Sequence, residues 1–294
     1  MAKNDKFYTK TEVAKRCIDF LSAYVNLDKE ICLEPSAGDG VFLPYLPKYE
    51  AYDLYPEGEG IKKQDFLTFT SDMTTFVTIG NPPFGSRSKL AVAFFNKAAQ
   101  YSNIIAFIVP VSFMKWNVQK ELDKNFHLID YFYLDPNSFL DQGRDFAVRT
   151  VFQIWSKGDY IKKPDLRLQK APPTRHDDFD IWQYNATAQS FSAVDEPWTI
   201  ATYRQGYHDY NQLFFPQAKE YIKKCMTGEA TGGKQQFFFI KPKTEIAQAI
   251  ITSMDFNALA ERNTSTPGFG KGDFVSYYVE LRNKYHNEIN LKNL

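Results

Sequence analysis

The stretch of the chain richest in chemistry is Gly80-Asn81-Pro82-Pro83-Phe84. Asn81 carries a carbonyl acceptor on a short side chain. Pro82 and Pro83 lack an N–H, so their peptide groups can only accept. A residue before proline is pushed out of the helical region, which restricts both Asn81 and Pro82. The result is a stiff corner that presents two hydrogen-bond acceptors side by side, with the flat face of Phe84 beside them. Such a corner suits an aromatic amine, whose lone pair is delocalised into its ring. Two acceptors on the N–H groups favour a pyramidal nitrogen and stabilise the positive charge that develops as it attacks. Phe84 holds the ring in line. Asn81, Pro82, Pro83 and Phe84 are thus the candidate catalytic residues.

A second constellation lies upstream. Glu34-Pro35-Ser36-Ala37-Gly38-Asp39-Gly40 follows the apolar run Ile31–Leu33, and its small residues let a ligand approach the backbone closely. Asp53, followed by Leu54, ends the next expected strand, where a carboxylate can accept from both hydroxyls of a ribose. Asp65 comes next, placed to accept from a ring amine while Phe66 packs on that ring. Tyr8 and Thr9 precede the first expected helix. A dinucleotide-binding fingerprint needs a third glycine where Leu43 stands, which argues against hydride transfer. Gly228–Lys234 has the glycine–lysine spacing of a phosphate loop, but Gln235 replaces the required Ser or Thr, and the flanking helix and strand come in the wrong order.

In this order, over Phe7 to Trp155, these residues resemble the S-adenosylmethionine-dependent N6-adenine methyltransferases with an Asn-Pro-Pro-Phe motif and the γ motif arrangement. The resemblance implies that S-adenosylmethionine is held by Tyr8, Thr9, Glu34, Pro35, Ser36, Ala37, Gly38, Asp53, Leu54, Asp65, Phe66 and Asn81. It implies direct transfer to the exocyclic amine of an adenine flipped out of the stack. The base then lies between Phe84 and a second aromatic from the stretch 136–148, where Phe139 is preferred to Phe146. DNA is the preferred substrate, in a restriction–modification or phage-like setting. RNA is the alternative, because the same signature occurs in RNA adenine enzymes. A protein-glutamine substrate fits less well, since those enzymes more often carry Tyr where Phe84 stands. A methyltransferase-fold subunit that only binds nucleic acid or a partner is the reading from another class.

The elements that must position these residues are legible from periodicity. Apolar strands alternate with helices expected at Thr9–Ala23 (capped by Thr11) and Lys89–Tyr101, the pattern of an α/β, doubly wound, mainly parallel sheet. Such sheets bind ligands at the carboxyl ends of their strands, where the polar residues above fall. The resemblance makes this a class I, Rossmann-like methyltransferase domain, residues 1–158. Residues 159–294 are expected to form a smaller α+β region that recognises nucleic acid. Helices are expected there at Gln212–Met226 and Thr244–Ala260, with a strand at Gln236–Ile240 and a last helix capped by Asp273. Its candidate contacts are Arg204, Tyr207, Lys241, Lys243 and Lys271, with Gln205, Tyr210 and Lys234 as further members.

Lysine plus arginine and aspartate plus glutamate are both 35, so the net charge of zero gives no global attraction to nucleic acid, and phosphate contact needs local basic groups. The three cysteines (Cys17, Cys32 and Cys225) form no CxxC pair, and no Cys/His cluster has zinc spacing, so free thiols and no metal are expected. No apolar run is long enough to span a bilayer. A cytoplasmic protein is the expectation.

Overall fold

The continuous apolar runs assemble into one sheet. The computed structural model describes residues 7–185, 198–211, 215–227, 235–262 and 266–292. The chain divides into two units, Met1–Lys170 and Ala171–Leu294. The first unit carries, in order, β1 (Tyr8–Thr9), α1 (Thr11–Ser22), β2 (Cys32–Glu34), β3 (Tyr49–Asp53), β4 (Ile61–Lys63), β5 (Phe76–Gly80), α2 (Lys89–Ala99), β6 (Ser102–Pro110), α3 (Trp116–Gln119), β7 (Phe126–Tyr133), β8 (Phe139–Asp141), β9 (Arg144–Phe146) and β10 (Thr150–Lys157). Seven strands form the sheet in the order β4-β3-β2-β5-β6-β10-β7. Pairings from β4 through β6 are parallel, and β10 runs antiparallel to both its neighbours. This is the class I methyltransferase arrangement, Rossmann-like with one reversed strand.

The central strands are buried on both faces, which is why they are mostly apolar, with a few buried polar residues such as Thr78 and Gln153. Along β6, Ile104, Ala106 and Ile108 belong to one core with α1 residues Ala14, Cys17, Ile18 and Leu21. The alternate residues Ile105, Phe107 and Val109 belong to the other, with Phe94, Phe95 and Ala98 of α2. The chain builds outward from β2 to β3 and β4, then returns to β5 on the other side. The strand order therefore reverses between β2 and β5, and a crevice opens where their carboxyl ends part.

Several boundaries differ from expectation. Lys10, not Thr11, precedes the first turn of α1, and it makes no side-chain cap. The first unit runs on to Lys170, past the expected boundary at 158. The reason is Arg167, whose guanidinium donates to the carbonyl oxygens of Gln119, Leu122, Asp123 and Phe126, tying this segment to the turn after α3. Asp165 adds a bond from Leu128 N at 3.1 Å. The small sheet β1-β8-β9 is also unforeseen.

The second unit contains an antiparallel sheet, β11 (Phe179–Tyr184), β12 (Ile200–Tyr203) and β13 (Phe237–Pro242), with β13 central. Around it lie α4 (Phe215–Thr227), α5 (Glu245–Thr252), α6 (Phe256–Ala260) and α7 (Lys271–Lys292). Side chains of β13 alternate between two cores, Phe238 and Ile240 in one, Phe237 and Phe239 in the other. The helix expected over Thr244–Ala260 is two helices. Thr244 caps α5 through Ala247 N, and Asp255 starts a new helix by accepting from Ala258 N. Asp273 accepts from Gly270 N, but α7 begins at Lys271. No helix among the described residues is long and apolar enough to cross a membrane.

Candidate active site

At the crevice between β2 and β5 lies a cavity of about 490 Å³, within the range of small-molecule sites. Its wall includes Tyr8, Thr9, Pro35, Ser36, Ala37, Gly38, Asp53, Leu54, Asp65, Phe66 and the whole corner Asn81–Phe84. Of the five stretches of sequence that converge there, four lie at the carboxyl ends of β2, β3, β4 and β5 in the large sheet, and β1 of the small sheet supplies the fifth.

The corner is built from β5 upward. Asn81 is half-buried, and its Nδ2 donates to Thr9 Oγ1 at 3.2 Å and to Phe7 O at 3.5 Å. A main-chain carbonyl can only accept, so Phe7 fixes which end of the amide carries nitrogen. The other end, Oδ1, is buried and has no hydrogen-bond partner among the described residues. An unpartnered buried acceptor is costly, and such groups concentrate where a ligand completes them. Ser36 Oγ donates to Asn81 O at 3.2 Å, which fastens the corner to the glycine loop.

The glycine loop follows β2. Gly38 (φ 55°) and Gly40 (φ 85°) occupy left-handed backbone that suits glycine. Gly38 N donates to Asp53 Oδ2 at 2.8 Å, and Tyr55 N to Asp53 Oδ1 at 2.7 Å. These two bonds aim the carboxylate of Asp53 at the cavity while leaving each oxygen a second lone pair. Asp65 accepts from Leu67 N at 2.9 Å through one oxygen and starts a short 3-10 turn. Phe66 is buried, with Phe69 and Phe94 against it.

Above Gly38 lies Tyr8, whose hydroxyl donates to the carboxylate of Glu57 at 2.8 Å. Glu57 N in turn donates to Gly38 O at 2.9 Å. This clasp between the N-terminal strand and the loop after β3 has no signature in the sequence. Phe7, Leu90 and Phe94 also line the cavity; the apolar side chains of Leu90 and Phe94 read as ordinary core in the sequence.

Two expectations are corrected. Glu34 is not on the cavity wall. It is 1% exposed, and it packs beneath Gly80, where a Cβ would come within 2.1 Å of its Oε1. Ser36 N donates to Oε1 at 3.3 Å, and Oε2 has no hydrogen-bond partner among the described residues. Burial drives its carboxyl well above the usual carboxylate range, with Asp53 and Asp39 adding to the effect. Glu34 thus shapes the glycine loop from behind. Phe139 is 0% exposed, on β8 opposite Thr9, in the core with α1. A fully enclosed ring offers no face to a base. Phe146 pairs with Phe139 across the hairpin and stacks on Phe7 with centroids 4.0 Å apart.

In the second unit the candidate contacts separate. Tyr207 is 81% exposed, and Lys241 is exposed on β13. Lys243 pairs with Asp180 at 2.9 Å. Arg204 donates to Gln236 Oε1, and its Nε is buried without a hydrogen-bond partner among the described residues. Lys271 is half-buried and donates inward to Ile181 O at 3.1 Å, which takes one of its three donors. Gly228–Lys234 lie outside the described residues.

No protein-family model matches the chain, and no curated protein matches it. Solved structures do. A Pyrococcus horikoshii protein assigned as an RNA methyltransferase is 18% identical over 52% of this chain and 88% of its own, with a TM-score of 0.44. The methyltransferase subunit of a type I restriction–modification system from Streptococcus thermophilus is 15% identical over 88% of this chain and 59% of its own, with a TM-score of 0.42. Magnesium protoporphyrin IX methyltransferase from Synechocystis, which has S-adenosylmethionine bound, is 9% identical over 50% of this chain and 79% of its own, with a TM-score of 0.36.

Proposed function

We propose that the chain transfers a methyl group from S-adenosylmethionine to the N6 amino group of adenine in DNA. The observation that carries the reading is Asn81, whose amide nitrogen is bound by the protein while its buried oxygen waits for a donor. A primary aromatic amine supplies such a donor.

The cavity fits the methyl donor. The glycine cradle admits a backbone-hugging ligand, and Asp53 keeps lone pairs for two ribose hydroxyls. Asp65 and Phe66 suit the amine and the face of the donor's adenine. The bound donor supplies an electrophilic methyl on sulfonium. Asn81 Oδ1 accepts from the target amine, and the rigid Pro82–Pro83 turn holds that acceptor against displacement. Phe84, half-buried at the cavity wall, orients the base. As the amine gains the methyl it becomes cationic, and it then loses one proton. No basic side chain is needed, because an alkylated anilinium-like nitrogen is strongly acidic. DNA is preferred to RNA on the motif order and on a second unit large enough to read sequence.

The test is transfer of labelled methyl to duplex DNA and to RNA of matched sequence, with the product nucleoside identified. N6-methyladenosine from RNA alone moves the reading to RNA. Absence of methyladenine from both ends it.

A further inference from the structure

After Phe84 the chain leaves the cavity wall and comes back to it at Leu90. Leu90 N and Ala91 N both donate to Phe84 O, at 3.2 and 3.3 Å, so the residues between are closed into a tight bulge. Gly85 sits so close to Leu90 that a Cβ would come within 2.7 Å of its Cβ. Within this bulge Arg87 (φ 54°) and Ser88 (φ 63°) are both left-handed, a conformation side-chain-bearing residues rarely adopt. Ser88 is buried and held by a 2.7 Å hydrogen bond to Ser112. Its neighbour Arg87 is exposed and has no hydrogen-bond or ion-pair partner among the described residues.

This bulge has a rigid, strained apex carrying a lone guanidinium, three residues from the ring of Phe84. Three residues span at most about 10 Å. Any nucleotide whose base enters the cavity brings its phosphates to this rim, because base and phosphate are joined through one sugar. Strain of this kind persists where surrounding structure enforces it, and it concentrates at functional sites. With a net charge of zero overall, phosphate binding depends on such placed cations.

We infer that Arg87 is a phosphate ligand, its planar fork gripping a phosphodiester next to the nucleotide held at Asn81. This rests on the reading of the site as one for nucleic acid. The contact fixes the strand at the rim, independent of sequence, and acts in binding rather than in methyl transfer.

The experiment measures binding of a fluorescein-labelled, adenine-containing DNA duplex by anisotropy across a salt series, with S-adenosylhomocysteine present. Four proteins are compared with wild type: Arg87→Gln, Arg87→Lys, Arg87→Gly and Lys29→Gln. Lys29 is an exposed cation ahead of β2, at the opposite end of the strand from the cavity. Arg87→Gln is expected to flatten the slope of log K against log salt by about 0.9, the loss of one phosphate contact. Referred to 1 M salt, that is about eightfold weaker binding at 0.1 M. Arg87→Lys keeps most of the slope. Arg87→Gly loses it while suiting the left-handed backbone, so a correctly folded glycine variant with weak binding separates the charge from the loop. Lys29→Gln stays at wild type. An unchanged slope in both Arg87→Gln and Arg87→Gly overturns the proposal, as does a wild-type protein that shows no salt-dependent binding. A wild type that binds DNA through Arg87 but forms no methyladenine leaves this contact standing and sinks the proposed reaction instead.

Discussion

Substituting Gly80 by alanine tests the packing that holds the Asn81–Phe84 corner. The new Cβ would meet Glu34 Oε1 at 2.1 Å, Cδ at 2.7 Å and Oε2 at 2.9 Å. The carboxyl group has to retreat by about 1.3 Å for its nearest oxygen to reach an ordinary contact of 3.4 Å. Glu34 is completely enclosed, so it cannot swing into solvent. Either the glycine loop shifts through the Glu34–Ser36 bond, or β5 and Asn81 shift. Overpacking of this type costs about 1–3 kcal/mol, a fall of several degrees in Tm for a unit of this size. A displacement near 1 Å at the reacting centre is of the order that costs about a hundredfold in rate. The assay pairs thermal unfolding with methyl-transfer rate for Gly80→Ala, Glu34→Ala and the double variant. Removing the glutamate side chain empties the space the new methyl needs, so the double variant should be more stable than the sum of the singles by at least about 1 kcal/mol. A Gly80→Ala protein that melts and turns over like wild type refutes the geometry, and so does strict additivity.

Other expectations follow from the same contacts. Asn81→Ala should abolish most transfer while the affinity for S-adenosylmethionine, read by calorimetry, stays within a few-fold of wild type. Asp53→Ala should weaken cofactor binding by about tenfold or more, since it removes a charged acceptor and frees the N–H groups of Gly38 and Tyr55; unchanged affinity would show the ribose lies elsewhere. Glu34 holds its proton more tightly folded than unfolded, so its contribution to stability is complete in acid and is lost as pH rises from the ordinary carboxylate range through its raised folded value. Glu34→Gln, which never ionises, should flatten that decline in urea melts taken across pH. Arg167→Ala leaves four carbonyls without their shared donor and should cost the first unit at least about 2 kcal/mol in denaturant unfolding.

The sheet was readable because its central strands are buried on both faces and so are largely apolar, without interruption over Ile104–Val109. The site was readable because glycines, acids and the proline corner each follow a strand, and topology alone brings strand ends together. What escaped has a physical reason too. Phe139 has the same composition and neighbours as an exposed loop aromatic, and only its pairing opposite Thr9 shows that it faces the core. Glu34 ends β2 just before the glycine loop, and the alternation of side chains along the strand turns it under Gly80. The second unit's helix break at Ser253–Asp255 follows from Asp255 competing as a cap, which periodicity cannot register. Arg87 reads as an ordinary surface arginine until its backbone angles are known.

The clasp of Tyr8 on Glu57 bears on timing. The strand that carries Tyr8 is paired with β8, and the Tyr8 hydroxyl ties it to the loop after β3 beside its bonds to Asn81. A ligand lying under Tyr8 cannot depart faster than the bond parts and the strand lifts. In the proposed reaction the donor lies under Tyr8, so Tyr8→Phe should quicken donor departure in a stopped-flow chase; an unchanged rate would show that this bond does not gate the donor.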